Sequence, residues 1–158
     1  MEFTHLNEKG EAVMVDVGGK QITERNAEGF AKVIMQPETL KAILGDGLKK
    51  GDCLAAARLA GIMAAKKTGE LIPLCHPIPI DSVRVEFDNN GVDELYIHTF
   101  AKCTWKTGIE MEALTAASVS ALTVYDMCKA IDREMVIAEV KLIHKDGGKS
   151  GEYNRYDK

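Results

Sequence analysis

From Ala113 to Cys128 the chain carries one charge, Asp126, among side chains that are otherwise apolar, small or hydroxyl-bearing. A helix of that composition has no polar face to give to water, so the rest of the fold must cover it. Two carboxylates precede the run, Glu110 and Glu112, in the order Thr107, Gly108, Ile109, Glu110, Met111, Glu112, and Lys129 closes it. Lys129 follows Asp126 by three positions, on the same helix face and within reach of an ion pair. An acid and an ammonium held together in an apolar setting are candidates for proton transfer, because desolvation and mutual charge move their pKa values in opposing ways.

The chain's 158 residues suit a single domain, 1–158, with one core. No apolar stretch approaches the roughly 20 residues that a membrane helix needs, and the first nine residues lack the basic flank and apolar centre of a signal peptide. A cytoplasmic protein is the expectation. The net charge of −4 lacks the basic excess that drives contact with nucleic-acid phosphates, so an anion must meet a local cluster of cations. Cys53, Cys75, Cys103 and Cys128 are scattered and form no Cys-x-x-Cys pair, which argues against a zinc site or a redox dithiol and for buried thiols.

Residues 1–20 mix charge and glycine around a short alternation at Val13, Val15 and Val17, which reads as a mobile arm. Branched and aromatic residues over 30–35 predict a strand ended by Pro37, which also suits the first turn of a helix over 38–44. Asp52 is placed to cap a second helix reaching about Lys67, whose Ala55, Ala56, Ala57, Ala60, Gly61, Ala64 and Ala65 form a surface of small residues that permits close approach. Pro73, Pro77 and Pro79 exclude a helix around Cys75 and His76 and predict a stiff loop. Residues 82–87 and 94–100 alternate about Asp88, Asn89, Asn90, Gly91 and read as a β-hairpin. The long helix follows over 109–130, then a strand over 135–143 with Val136, Ala138, Val140 and Leu142 on one face. Residues 147–158 are polar and glycine-rich and read as a flexible tail. Strand, helix, helix, strand, strand, helix, strand is the pattern of an α+β sandwich of ferredoxin-like type, an antiparallel sheet packed with helices.

For Asp126 with Lys129, two readings stand: an acid–base pair, or a helix-end ion pair in which Lys129 also meets the negative end of the helix dipole. Glu110 and Glu112 suit the positive end of the same helix, and residues two apart point in different directions. His76 belongs to a rigid loop, where positioned functional groups concentrate. Lys50, just before a helix N-terminus, can converge with free amides on an anion. Gly147, Gly148, Lys149, Ser150, Gly151 looks like the end of a phosphate loop, but Ile143 stands where the pattern needs its first glycine. Consecutive glycine amides beside lysines can still form an anion nest, although a solvated tail is the plainer reading of the motif alone. No metal cluster is visible, since adjacent Cys75 and His76 cannot readily chelate one ion.

Leu71, Ile72, Pro73, Leu74, Cys75, His76, Pro77; Lys106 to Ser118; Tyr125, Asp126, Met127, Cys128, Lys129; and the Gly147 to Gly151 segment together resemble the cyclic pyranopterin monophosphate synthase family of molybdenum-cofactor biosynthesis. Thr4, His5, Leu6 and Met14, Val15, Asp16, Val17 resemble its beginning, and Lys50, Gly51, Asp52 with Ala60, Gly61 its second helix. The resemblance spans nearly the whole chain. It implies a ferredoxin-like subunit in a homohexamer, a trimer of dimers with active sites between subunits, and no cofactor. It further implies a lyase that converts a 3′,8-cyclised dihydroguanosine triphosphate into cyclic pyranopterin monophosphate and diphosphate. Carried over residue by residue, Asp126 and Lys129 become the acid–base pair. Leu74, Cys75, His76, Met111 and Glu112 become substrate contacts, Lys50, Glu110, Lys145 and Lys149 line the pocket, and Arg25 suits the triphosphate. The competing class is a non-catalytic nucleotide-binding regulator that binds a phosphorylated ligand without releasing diphosphate. A scaffold built on the small-residue helix would do neither.

Overall fold

The computed structural model describes residues 3–45 and 52–157. The elements run β1 (Thr23–Ile34), α1 (Pro37–Leu44), α2 (Cys53–Lys66), α3 (Thr68–Leu71), β2 (Ile80–Asn89), β3 (Glu94–Trp105), α4 (Glu110–Cys128), β4 (Val136–Asp146) and β5 (Tyr153–Asn154). They form one sheet in the order β2-β3-β1-β4-β5, antiparallel at every pairing. β1 reaches β2 by crossing over β3, and β3 reaches β4 by crossing over β1. These two split crossovers place the helices on one face and give the α+β ferredoxin-like arrangement expected from the element order.

The central strand β1 alternates strictly: Ala27, Gly29, Ala31 and Val33 face α4, while Glu28, Phe30 and Lys32 face away. β3 does the same with Leu95, Ile97, Thr99, Ala101 and Cys103 buried. The strand begins seven residues before the expected position 30 because its inward positions there, Thr23, Arg25, Ala27 and Gly29, hold no large apolar side chain. Alanine and glycine conceal a period-2 pattern that valine and phenylalanine advertise. β2 and β3 likewise run past the expected hairpin, to 80–89 and 94–105.

β4 overturns one expectation. Val136 and Val140 are exposed, whereas Ile137 and Leu142 pack on the core. The reason is a break in the alternation: Glu139 adopts φ 56°, and the pairing with β1 slips between Phe30 and Lys32 and again between Glu28 and Gly29. An extra residue in one strand turns every later side chain to the opposite face.

α2 begins at the expected cap, with Asp52 Oδ1 accepting from the Ala55 amide at 2.9 Å. Its one internal charge is used within the fold, since Arg58 Nε donates to the Val85 carbonyl at 3.1 Å and the guanidinium covers the Phe87 ring. Asp132 is buried and gathers the Gln36 amide, the Thr39 hydroxyl and the Glu134 amide, tying α1 to the segment that follows α4.

α2 and α4 approach at backbone distance. A Cβ on Gly61 would overlap the Ser120 hydroxyl and stand 3.0 Å from the Ala116 carbonyl oxygen and 3.2 Å from Val85. That hydroxyl is already committed to the Ala57 carbonyl at 2.9 Å. Replacing Gly61 with Val is therefore expected to cost about 1–3 kcal/mol by overpacking. Chemical denaturation checks this, and an unchanged midpoint would show that the helices can separate without loss.

Candidate active site

The N-terminus of α4 meets the proline-rich loop and the arm in a cavity of about 130 Å³. Leu74, Cys75, His76, Glu110, Met111 and Glu112 all line it, together with His5, Thr107 and Gly108. The loop and helix residues that the family resemblance picked out are thus brought to one place. Glu110 opens the helix and Glu112 lies in its first turn, where the free amides favour carboxylates.

Glu112 is 2% exposed, and its Oε2 has no hydrogen-bond partner among the described residues. Burial pushes its carboxyl up to about 7; a backbone hydrogen bond opposes the rise and the Glu110 charge adds to it. A buried, unsatisfied carboxyl oxygen costs about 1–3 kcal/mol, so the fold holds an acceptor ready for a donor that the described residues do not supply. The neighbouring Cys75 thiol is also raised, by burial first and then by the Glu112 charge, so it stays protonated at neutral pH.

His76 is already engaged. Its Nε2 lies 2.6 Å from the Val15 carbonyl oxygen, so the ring donates to the arm and fixes that tautomer. Lys106 Nζ holds the arm a second time through the Gly18 carbonyl at 3.4 Å.

A larger cavity, about 790 Å³, lies beside the first and collects Lys20, Thr23, Arg25, Gly148, Lys149 and Ser150. Gly147 and Gly148 turn with φ 90° and 75°. A Cβ on Gly147 would overlap the Glu24 carbonyl and one on Gly148 the Arg25 guanidinium, so only glycine lets this turn settle on β1. Arg25 is 9% exposed; Nη2 donates to the Lys106 carbonyl at 3.3 Å, and Nε has no partner among the described residues. Lys145 joins the two cavities. Its ammonium pairs with Glu110 Oε1 at 2.8 Å and reaches the Ser150 hydroxyl at 3.4 Å. Beyond the turn, β5 pairs with β4, and Arg155 Nε donates to the Leu142 carbonyl at 2.6 Å.

Asp126 and Lys129 form the expected ion pair at 2.8 Å, but not the expected apolar setting. Their side chains are 61% and 51% exposed. The run they belong to is buried on the face that carries Val124 and Cys128, and Asp126 points off that face. The Asp126 carboxylate raises the Lys129 pKa by hydrogen bonding and charge, which keeps the lysine protonated rather than preparing a base. Fourteen positions separate Glu112 from Asp126, about 21 Å along the helix at a rise of roughly 1.5 Å per residue. Within one chain the two groups do not share a cavity. Lys50 lies outside the described residues.

His5, Lys20, Thr107 and Ser150 also line the cavities, and no individual role for them is evident in the sequence. For Ser150 the signal was present in the glycine-rich segment. For His5 and Lys20 it was hidden, because His5 is far in sequence from the residues it faces and the glycine turn opposite Lys20 lies at the other end of the chain. Among the described residues, no group of three or more His, Cys, Asp or Glu side chains converges on a metal position, and no helix is long and apolar enough to cross a membrane.

A model described as the MoaC family matches residues 14–148. The chain belongs to the MoaC family. Among curated relatives, cyclic pyranopterin monophosphate synthase 3 of Mycobacterium tuberculosis is 54% identical over 155 residues, which is 98% of this chain and 88% of the relative. The cyclic pyranopterin monophosphate synthase of Pelotomaculum thermopropionicum is 54% identical over 154 residues, 97% of this chain and 91% of that one. That of Peptoclostridium acidaminophilum is 56% identical over 155 residues, 98% of each. The family match covers α4 from end to end and every lining residue of the two cavities except His5, Lys149 and Ser150.

Glu112 makes stability depend on pH. Its carboxyl rises from an ordinary 4.5 to about 7 on folding, so the folded chain binds this proton more tightly than the unfolded one. The stabilising contribution is complete below about pH 4.5 and is lost as the pH climbs through about 7, leaving a penalty of roughly 3 kcal/mol in alkaline solution. Glu112→Gln is expected to melt above wild type at about pH 8 and to lose that advantage near about pH 4.5. Thermal unfolding at the two pH values checks it; a difference that ignores pH would assign the effect to another group.

Proposed function

We propose that the chain is a cyclic pyranopterin monophosphate synthase, a lyase that converts (8S)-3′,8-cyclo-7,8-dihydroguanosine 5′-triphosphate to cyclic pyranopterin monophosphate and diphosphate in molybdenum-cofactor biosynthesis. Membership of the MoaC family supports the reaction. The observation that carries it into the structure is the pairing of a buried acceptor cavity at Glu112 with a cationic cavity at Arg25 and Lys149, linked by Lys145. A triphosphorylated purine derivative has those two halves, a heterocycle rich in N–H donors and a chain of anions.

The rearrangement opens and recloses rings and then expels diphosphate, so it needs several proton transfers and donors for an anionic leaving group. Glu112 would accept from the heterocycle. Lys145, Lys149 and Arg25, with Lys50, would hold phosphate oxygens by charge-assisted hydrogen bonds. His76 would serve the site through the arm, because its Nε2 is taken by Val15. Lys129 would move protons with Asp126 orienting it, and it needs a drier setting than one chain provides.

That requirement supports the homohexamer, a trimer of dimers, with sites between subunits. Asp126 and Lys129 of one copy would close over the Glu112 cavity of another and lose water in doing so. The exposed Leu59 and Met63 of α2 and Leu122 of α4 leave apolar surface on the helix layer that a neighbouring copy would cover. The absence of a basic excess, with the net charge of −4, fits a small-molecule substrate rather than nucleic acid, in a soluble cytoplasmic enzyme.

Incubation with the cyclised nucleotide is expected to release diphosphate; binding without release would favour the regulator. Asp126→Asn and Lys129→Ala are each expected to abolish product while assembly stays intact. Mixing Asp126→Asn with Glu112→Ala, each inactive alone, should restore part of the activity, since some shared sites then receive two sound halves. No recovery on mixing, with hybrids confirmed by mass, would put both halves of the site in one chain.

A further inference from the structure

The cavity at the start of α4 has a wall that comes from the opposite end of the chain. Asn7 Oδ1 accepts from the amides of Lys9 and Glu11, each at 2.9 Å, and its Nδ2 donates to Glu11 at 2.9 Å. This closes a tight turn. Leu6 and Ala12 then bridge, and the Val13 amide donates to the His5 carbonyl at 2.9 Å, so the two limbs form a small hairpin. The returning limb is fastened to the site by His76 at Val15 and by Lys106 at Gly18. The outgoing limb places His5 on the cavity beside Cys75, His76, Glu110 and Glu112.

We propose that His5 is a ligand-contacting residue of this cavity, delivered by the N-terminal hairpin, which acts as a strap over the heterocyclic end of the substrate. The inference deepens the synthase reading and rests on it. Charge decides which end of the substrate His5 meets. The cavity it lines holds two carboxylates, whereas Lys20, Arg25 and Lys149 line the neighbouring one, so the phosphates belong there. A neutral imidazole offers one donor and one acceptor, which suits the alternating polar edge of a reduced purine or pterin. The two histidines then divide the work: His76 latches the strap, and His5 reaches the ligand. His5 remains exposed, as a side chain must that moves aside for substrate to enter. The family match begins at Met14, so the strap's outgoing limb and turn stand outside the matched part of the chain.

The test is steady-state turnover of the cyclised nucleotide by the full-length protein and its His5→Ala and His5→Gln variants, with melting temperature and assembly size measured beside it. His5→Ala is expected to raise KM by about tenfold or more with melting and size unchanged, and His5→Gln to recover most of that loss because its amide keeps a donor and an acceptor. His76→Ala is expected to speed tryptic cleavage after Lys9, whereas His5→Ala leaves that rate unaltered. Wild-type KM and kcat in His5→Ala would overturn the contact while leaving the synthase reading in place. Lower melting or altered size in both His5 variants would assign the residue to folding instead. A wild-type protein that releases no diphosphate would remove the synthase reading and the contact together.

Discussion

The backbone-close seating of α4 is the constraint on which the other parts of the structure depend. Ala113, Ala116, Ala117 and Ala121 are all fully buried, and the neighbouring elements come closest to the helix at two glycines, Gly29 and Gly61. A Cβ on Gly29 would stand 2.6 Å from the Thr99 hydroxyl and 2.8 Å from the Ala113 carbonyl oxygen, and that hydroxyl donates to the same carbonyl at 2.7 Å. From the other side Ser120 donates to the Ala57 carbonyl. Each of these is a polar group buried in an apolar layer, favourable only while its partner stays in place. The helix is therefore fixed in rotation and in axial position. That fixing holds Glu112 in its buried socket and turns Asp126 outward.

Charge is distributed with the same economy. The carboxylates at the start of α4 gain from the helix dipole but repel one another, and Lys145 relieves Glu110 alone. Glu112 is buried beside that charge, and burial first, then the Glu110 carboxylate, raises its proton affinity. On the far side of Lys145 the cations gather, with the Gly148 turn lying directly on the Arg25 guanidinium. Acceptors and cations are thus separated by the length of one lysine. A ligand that is basic or donor-rich at one end and polyanionic at the other satisfies both at once, and a plain phosphate or a plain base satisfies only half.

Much of this was legible in the sequence where side-chain size and charge carry the message. The lone charge in the run after Ala113 marked α4, the alanines after Asp52 marked α2, and the three prolines marked the loop that holds Cys75 and His76. Legibility failed where the message lies in the backbone. The early half of β1 turns Thr23, Arg25, Ala27 and Gly29 inward, with no large apolar side chain among them, and the change of face in β4 depends on the conformation of Glu139, a residue with no preference that would announce it. The pairing of Asp126 with Lys129 followed from spacing, but its exposure did not, because a period of 3.6 only sorts residues into faces once the neighbours are known. His5 and Lys20 were illegible for a related reason: more than a hundred residues separate the arm from the helix start and glycine turn that they face.

The two ends of α4 pose the remaining physical question. At one end a carboxyl is buried past the point of comfort, and at the other an ion pair is more solvated than proton transfer favours. Neither is a stable design for a monomer that works alone: the first spends stability on an unmet acceptor, and the second leaves the lysine protonated by its own partner. A second copy that lays its Asp126 and Lys129 across the Glu112 cavity of the first would correct both faults. It would bring the ligand's donors under an acceptor already desolvated, and it would strip water from the Lys129 ammonium, which favours its neutral form. Desolvation that one chain does not supply would then come from assembly, and the rigid seating of α4 would let each copy present both halves at a fixed separation.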